Sequence, residues 1–380
     1  MIKELHHFST KLVGNTMKVL SVSLGQPKES SCWLRIKKQA ELLSSIGHEV
    51  ELRFYSRKTH LSFEPPFKYS IIRVSPLNVH LKHFINTPVD KYDLVFCNLA
   101  PSAFICSLSR IRGIHIVLDN HGDLISEMEL YGVGLLRKIY YSIISSLTFK
   151  ASSRVICVSR SMMKDLRERG VPEKKLYCVT NATDLDLFRP LNEDEANRMK
   201  KDLGLEDRLT FGYIGADDKW QGVDKLIETG EAVDYRDIFF LYVGFSENME
   251  RSNNALYIPK VPFDRVKYYY GACDVLVLPR PSHKSAEVAA PTKFAEYAAM
   301  GKPILTTDVG DAAALVRKYK CGIVIDDNSP ENLLKGIKEF RSLPEDELLR
   351  MGKNARKMAE KEFSMEKMRE DLRKVIESLG

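Results

Sequence analysis

The stretch with the clearest chemical content is residues 287–308, EVAAPTKFAEYAAMGKPILTTD. It reads as a loop, a helix and a strand. Pro291 suits the first helical position, where its missing N–H costs nothing. Gly301 stands just past the helix end, where a positive φ is common. The N–H groups of Thr292, Lys293 and Phe294 would leave the helix start with the positive end of its dipole, which makes an anion site. Lys293 adds a full charge in that first turn, an unfavourable place for a cation unless an anion sits there. Glu296, one turn on, can accept two hydrogen bonds from neighbouring hydroxyls. Phosphate at the helix tip and a diol one turn further describe a nucleoside diphosphate with its ribose. An ordinary amphipathic helix with a solvated Lys and Glu is the plain alternative.

A second candidate group lies upstream. The apolar run at residues 114–118 ends in Asp119, Asn120, His121, Gly122 and Asp123. Polar side chains at the end of a strand sit where ligands bind in a parallel sheet. His121 could donate to a sugar hydroxyl or steady developing charge; a structural histidine is the competing reading.

The elements that must position these residues alternate. Residues 18–24 (KVLSVSL) read as a buried strand, 32–46 as a helix closed by Gly47, and 49–55 (EVELRFY) as the next strand. This βαβ opening implies parallel strands and a right-handed crossover. Gly25 stands in the first βα loop and would let a ligand come close, but the loop has no GxGxxG. Further strands are expected at residues 71–74, 94–96, 154–158 and 175–179. A helix capped by Ser159 or Ser161 should stop at Gly170. Residues 135–149 are read as an apolar core helix, with contact to a membrane face as the alternative. A charged break follows at 191–208. The pattern then restarts with strands at 209–214, 238–243, 256–258 and 274–278 and helices at 222–233 and 263–271. The last helix, about 365–379, would pack back onto the first half.

A chain of 380 residues is too long for one ordinary core, and its 44% hydrophobic and 28% charged residues fit a globular protein. No apolar run approaches the about 18 residues a membrane helix needs. Residues 1–16 lack the apolar centre of a signal peptide and are taken as an extension before Met17. The seven cysteines are scattered with no CxxC pair, which argues for reduced thiols and against zinc. Residues 1–190 carry a balance of +10 and residues 191–380 one of −4. The basic first half suggests an anionic partner there, a membrane surface or an acidic acceptor. No helix-turn-helix, zinc finger or RNA-binding aromatic motif points to nucleic acid.

Four segments in this order resemble the GT-B glycosyltransferases, and within them the retaining glycosyltransferase family 4. RVICVSRS from Arg154 and NATDLDLF from Asn181 resemble the end of the first domain. YIGADDKWQGVDKL from Tyr213 resembles the loop that opens the second. YGACDVLVLP from Tyr270 resembles the strand before the donor loop, and PTKFAEYAAMGKPI from Pro291 the donor helix. The resemblance covers roughly residues 17–380. It implies an α/β architecture of two Rossmann-like domains facing across a cleft: an acceptor domain at 1–185, a donor domain at 186–364 and a returning helix at 365–380. It implies metal-independent transfer, with retention, from a UDP or GDP sugar to a glycan or lipid-linked acceptor. No cofactor beyond that co-substrate is implied. Glu296 would bind the donor ribose, Thr292 to Phe294 the diphosphate, Gly215 the close approach of the donor, and Val261 with its neighbours the base. His121 would lie near the reacting centre. A cytoplasmic protein, peripheral at the membrane face, is expected.

Three departures stand out. A second glutamate, common eight residues before the ribose-binding one, is here Val288, with Glu287 beside it as a substitute. The usual arginine and lysine of the glycine loop are Ala216 and Gln221, so Lys219 and Lys293 are left to stabilise the leaving diphosphate. The usual asparagine–glycine is Asn181–Ala182. A nucleotide-sugar epimerase and a degenerate sugar-nucleotide binder are the competing readings.

Overall fold

The computed structural model describes residues 16–24, 31–57, 65–75, 78–87 and 91–380. Gly25, a candidate donor contact, lies outside them. The chain forms two compact units: one runs to Thr180 and takes in Met368–Gly380, the other is Asn181–Lys367.

The first unit is a seven-stranded sheet. Its strands are β1 (Lys18–Leu24), β2 (Glu49–Ser56), β3 (Tyr69–Arg73), β4 (Leu94–Asn98), β5 (His115–Asn120), β6 (Arg154–Cys157) and β7 (Leu176–Cys178). They lie in the order β3-β2-β1-β4-β5-β6-β7, every pair parallel. The central strands are apolar on both faces because helices cover both; β4 is buried along its whole length. Ser159 caps the helix Arg160–Glu168 by accepting from the Met162 N–H at 2.9 Å, which settles which serine starts it. The final helix, Met365–Glu377, buries Met368, Leu372, Val375 and Ile376. Arg154 on β6 ties down the residues after it, donating from Nε to the Ser378 hydroxyl at 2.8 Å and from Nη2 to the Ser378 carbonyl.

One expectation fails in this unit. Residues 135–149 are not a core helix. The helix Leu135–Ala151 buries only Ile144 and Thr148 and leaves Leu135, Leu136, Ile139, Tyr140, Ile143 and Leu147 exposed. The sequence shows that one face of the helix is apolar but not what covers it, and in this unit the covered side is the one around Ile144 and Thr148.

The second unit repeats the plan with β8 (Leu209–Ile214), β9 (Ile238–Ser246), β10 (Glu250–Arg251), β11 (Ala255–Pro259), β12 (Val275–Leu278), β13 (Ile304–Thr307) and β14 (Gly322–Ile325). Their order is β10-β11-β9-β8-β12-β13-β14, parallel except for the short β10. Two apolar clusters cover the two faces of this sheet. The strand order reverses between β8 and β12, so the loops after those two strands flank the crevice where parallel sheets bind ligands.

The segment from Asn181, read as the end of the first domain, belongs to the second unit. Thr183 donates its N–H to the Phe363 carbonyl at 2.8 Å, Phe188 is buried in the core beside Tyr270, and Asn181 Nδ2 donates to the Ala290 carbonyl at 2.6 Å. That last bond fixes the chain just before the helix Thr292–Ala299.

Candidate active site

In the second unit the candidate residues gather around the start of the Thr292–Ala299 helix. Pro291 is the residue before its first turn, not within it. The Phe294 N–H closes back on the Pro291 carbonyl at 3.1 Å, which leaves the Thr292 and Lys293 N–H groups at the tip. The Phe294 side chain does not face a donor. It is buried against Phe363, with ring centroids 5.6 Å apart, because the helix needs an apolar anchor at its first turn.

Lys293 turns back over β8. Its Nζ donates to the Tyr213 hydroxyl at 2.6 Å and lies 4.0 Å from the Tyr213 ring centroid. Gly215 makes that fold-back possible. Its φ is 144°, and a Cβ built there would meet the Lys293 Nζ at 2.5 Å. The sequence candidates Gly215 and Lys293 are therefore one feature: the glycine clears room for the ammonium. Burial, and then the charge of Arg280, lowers the Lys293 pKa to about 7, although Glu296 and Asp218 pull the other way.

Arg280 is the residue sequence reasoning missed. It directly follows the Leu278–Pro279 end of β12, at the crevice. The Thr307 hydroxyl pins its carbonyl at 2.7 Å. The side chain is 1% exposed, its guanidinium lies 4.9 Å from the Trp220 ring centroid, and its Nε and Nη2 have no hydrogen-bond partner. Burial lowers its pKa to about 9, with Tyr213 opposing, so it is charged at neutral pH. A buried guanidinium beside a second, half-buried cation is costly unless an anion joins them. Its signal in the sequence was a lone Arg between two prolines at the end of an apolar strand.

Glu296, one turn into the helix, is 8% exposed and accepts from the Tyr270 hydroxyl at 2.7 Å on Oε2. Tyr270 in turn packs edge-on against Tyr297 at 5.1 Å. The carboxylate is therefore oriented by a buried phenol. Val261 lies on the turn after β11, its side chain packed on the core that holds Tyr270.

Two candidates fall outside this group. Lys219 lies on a short turn, Lys219–Gln221, with its side chain exposed, while its neighbour Trp220 meets Arg280. Glu287 does not share the direction of the side chain at 288. On the helix Lys284–Val288 it is half exposed and its Oε2 is 3.6 Å from the Lys284 Nζ, whereas Val288 is buried. Successive helical residues differ in direction by about 100°, so burying Val288 turns Glu287 outward.

In the first unit, His121 follows β5. Its Nε2 lies 2.5 Å from Asp119 Oδ2, and its Nδ1 lies 3.6 Å from the Cys32 sulfur. Asp119 is fully buried and also accepts from Arg35 Nε and Nη2 at 2.8 and 2.6 Å and from Gln39 at 2.8 Å. Burial opposes charge on both partners. The Asp119 charge nevertheless raises His121 to about 9, and Arg35 with His121 holds Asp119 well below the carboxylate range. The ring is an imidazolium at neutral pH, with both nitrogens already engaged. Its offering is charge rather than a free donor.

Among the described residues no cluster of His, Cys, Asp or Glu could hold a metal ion, and no helix is long and apolar enough to cross a membrane.

With this geometry in view, comparison with known proteins defines the class. Residues 195–358 match the family described as Glycosyl transferases group 1, and residues 36–187 match Glycosyltransferase Family 4. The chain belongs to glycosyltransferase family 4 and is a glycosyltransferase of GT-B fold. An uncharacterized glycosyltransferase of Methanocaldococcus jannaschii is 24% identical over 73% of this chain and 71% of its own length. The alpha-galactosylglucosyldiacylglycerol synthase of Streptococcus pneumoniae is 23% identical over 46% of this chain and 48% of its own. Among solved structures, Anabaena Alr3699/HepE in complex with UDP-glucose superposes with a TM-score of 0.75 at 15% identity, covering 94% of this chain and 98% of that one. At that identity the likeness speaks to fold.

Proposed function

We propose that the protein transfers a sugar, with retention and without a metal ion, from a UDP or GDP sugar to a glycan or lipid-linked acceptor. It would do so in the cytoplasm, at an anionic membrane surface. The observation that carries the reading is the cation pair Arg280 and Lys293 at a helix tip, with Glu296 one turn further on. The pair suits a diphosphate and the carboxylate suits a ribose diol. The UDP-glucose held by a protein of the same fold favours a uridine donor, and the diacylglycerol-based product named for a relative favours a lipid acceptor.

In the step itself, the bond from the anomeric carbon to the leaving phosphate oxygen breaks. The bond to the acceptor oxygen forms on the same face. The acceptor's proton passes to the departing diphosphate, whose new charge Arg280, Lys293 and the helix dipole stabilise.

A thermal-shift panel of UDP, GDP and ADP names the base. Glu296→Ala should weaken UDP and uridine alike, by roughly tenfold or more for a charged hydrogen-bond acceptor. Unchanged nucleotide affinity would sink the ribose assignment. An inverted anomeric coupling in the product, read by proton NMR, would sink retention.

A further inference from the structure

The helix Leu135–Ala151 carries its apolar stripe on the wrong side for a globular protein. Leu135, Ile139, Ile143 and Leu147 recur every fourth residue, and Leu136 and Tyr140 widen the stripe. These six are between 47% and 84% exposed. Single exposed apolar residues are ordinary, but a continuous row of this kind marks an interaction surface.

Charge identifies the partner. Residues 131–160 contain five Lys or Arg and no Asp or Glu. Three of the five, Arg137, Lys138 and Lys150, lie on the helix itself; Lys138 is paired with Glu129 at 3.7 Å, and Arg137 and Lys150 are exposed. A basic, outward-facing amphipathic helix of this kind suits the interface of a bilayer with anionic lipids. The same basic residues would face each other in a symmetric pair of chains, which disfavours a second copy as the occupant.

A cavity adjoins the helix. It has a volume of about 350 Å³ and is walled by Tyr140, Tyr141 and Ile144 from the helix and by Leu24, Tyr55 and Val74 at the carboxyl ends of β1, β2 and β3. Tyr140 belongs to both the exposed stripe and the cavity wall, so the two surfaces are continuous.

We infer that this helix lies in the interface of an anionic phospholipid bilayer, stripe inward, and brings the cavity to the membrane to receive a lipid-linked acceptor. The acceptor's part in this rests on the transferase reading above; the docking does not.

The experiment is co-sedimentation of the full chain with vesicles of phosphatidylcholine alone or with phosphatidylglycerol, at low and high salt. Thermal shift by UDP is measured on the same samples. Binding is expected with phosphatidylglycerol, weaker at high salt. It should fall at least tenfold in Leu136→Glu/Ile143→Glu and severalfold in Arg137→Glu/Lys150→Glu. The UDP shift should be kept by all three proteins. Absence of binding to phosphatidylglycerol at low salt overturns the proposal. So does undiminished binding by the apolar double variant, or a stable dimer that this variant splits. Binding with no UDP shift in the wild type would overturn the transferase reading and leave the docking surface standing.

Discussion

The two units hold positive charge in opposite ways. In the first, His121 has a counter-charge: Asp119 accepts from its Nε2, and Arg35 and Gln39 donate to the same carboxylate. In the second, Arg280 has two nitrogens without a partner and shares its surroundings with Lys293. The first arrangement holds its counter-charge as folded, with only the Gln39 amide oxygen left unpaired, and acts as a fixed field. The second becomes favourable only when an anion arrives, so its cost in stability is the counterpart of its affinity. Removing charge should therefore damage folding in the first unit and binding in the second.

The largest effect should come from breaking the satisfied cluster. Asp119→Ala leaves a buried guanidinium and an imidazole without their counter-charge, a loss of about 3–5 kcal/mol for a broken buried pair. Urea unfolding of the full chain should report it in the first unit's transition. His121 has a folded pKa of about 9, above its ordinary 6.5, so its contribution is whole below 6.5 and is lost as pH rises through 9. In the variant, burial and the Arg35 charge lower the pKa against the Cys32 hydrogen bond alone, and an NMR titration should find His121 below 6.5. A titration still centred near 9 would refute the assigned cause. UDP affinity should be unchanged.

The converse holds for Arg280→Met, which removes an unpaired buried charge and fills its volume. Stability should hold or rise. UDP affinity should fall roughly ten- to hundredfold, the worth of charged hydrogen bonds to the diphosphate, while uridine binding stays as it was. Isothermal titration with both ligands separates the two, and equal losses for UDP and uridine would mean that Arg280 shapes the whole site instead of meeting phosphate.

The same contrast explains what could be read from the sequence. Parallel strands buried on both faces leave continuous apolar runs, so β1, β8 and β12 were legible. Lys293 and Glu296 were legible because helix geometry alone sets their spacing. Arg280 was not, since nothing local says that a loop arginine will be swallowed by Trp220 and held by Thr307, residues 60 and 27 positions away in numbering from 280. The Leu135–Ala151 helix was misread for a related reason: an apolar run records that burial is wanted, not what will provide it. Glu287 and Val288 take different directions, because a one-residue shift on a helix changes the face.

The smallest effect, and the most specific, concerns protons. Lys293 has a pKa of about 7 because burial, then Arg280, disfavours its charge. A bound diphosphate favours the charged form, so the bound pKa must be higher. Below pH 7 the ammonium is already protonated and UDP affinity should be flat with respect to this group. Above pH 7 binding must take up a proton, and affinity should fall by up to tenfold per pH unit until the bound pKa is passed. Calorimetry at pH 8 in buffers of different ionisation enthalpy should register uptake approaching one proton. Lys293→Met should abolish the uptake and flatten the profile, whereas Asp119→Ala in the other unit should leave both intact. A proton count of zero in the wild type at pH 8 would mean that Lys293 keeps its charge without the nucleotide, and that Arg280 alone awaits the anion.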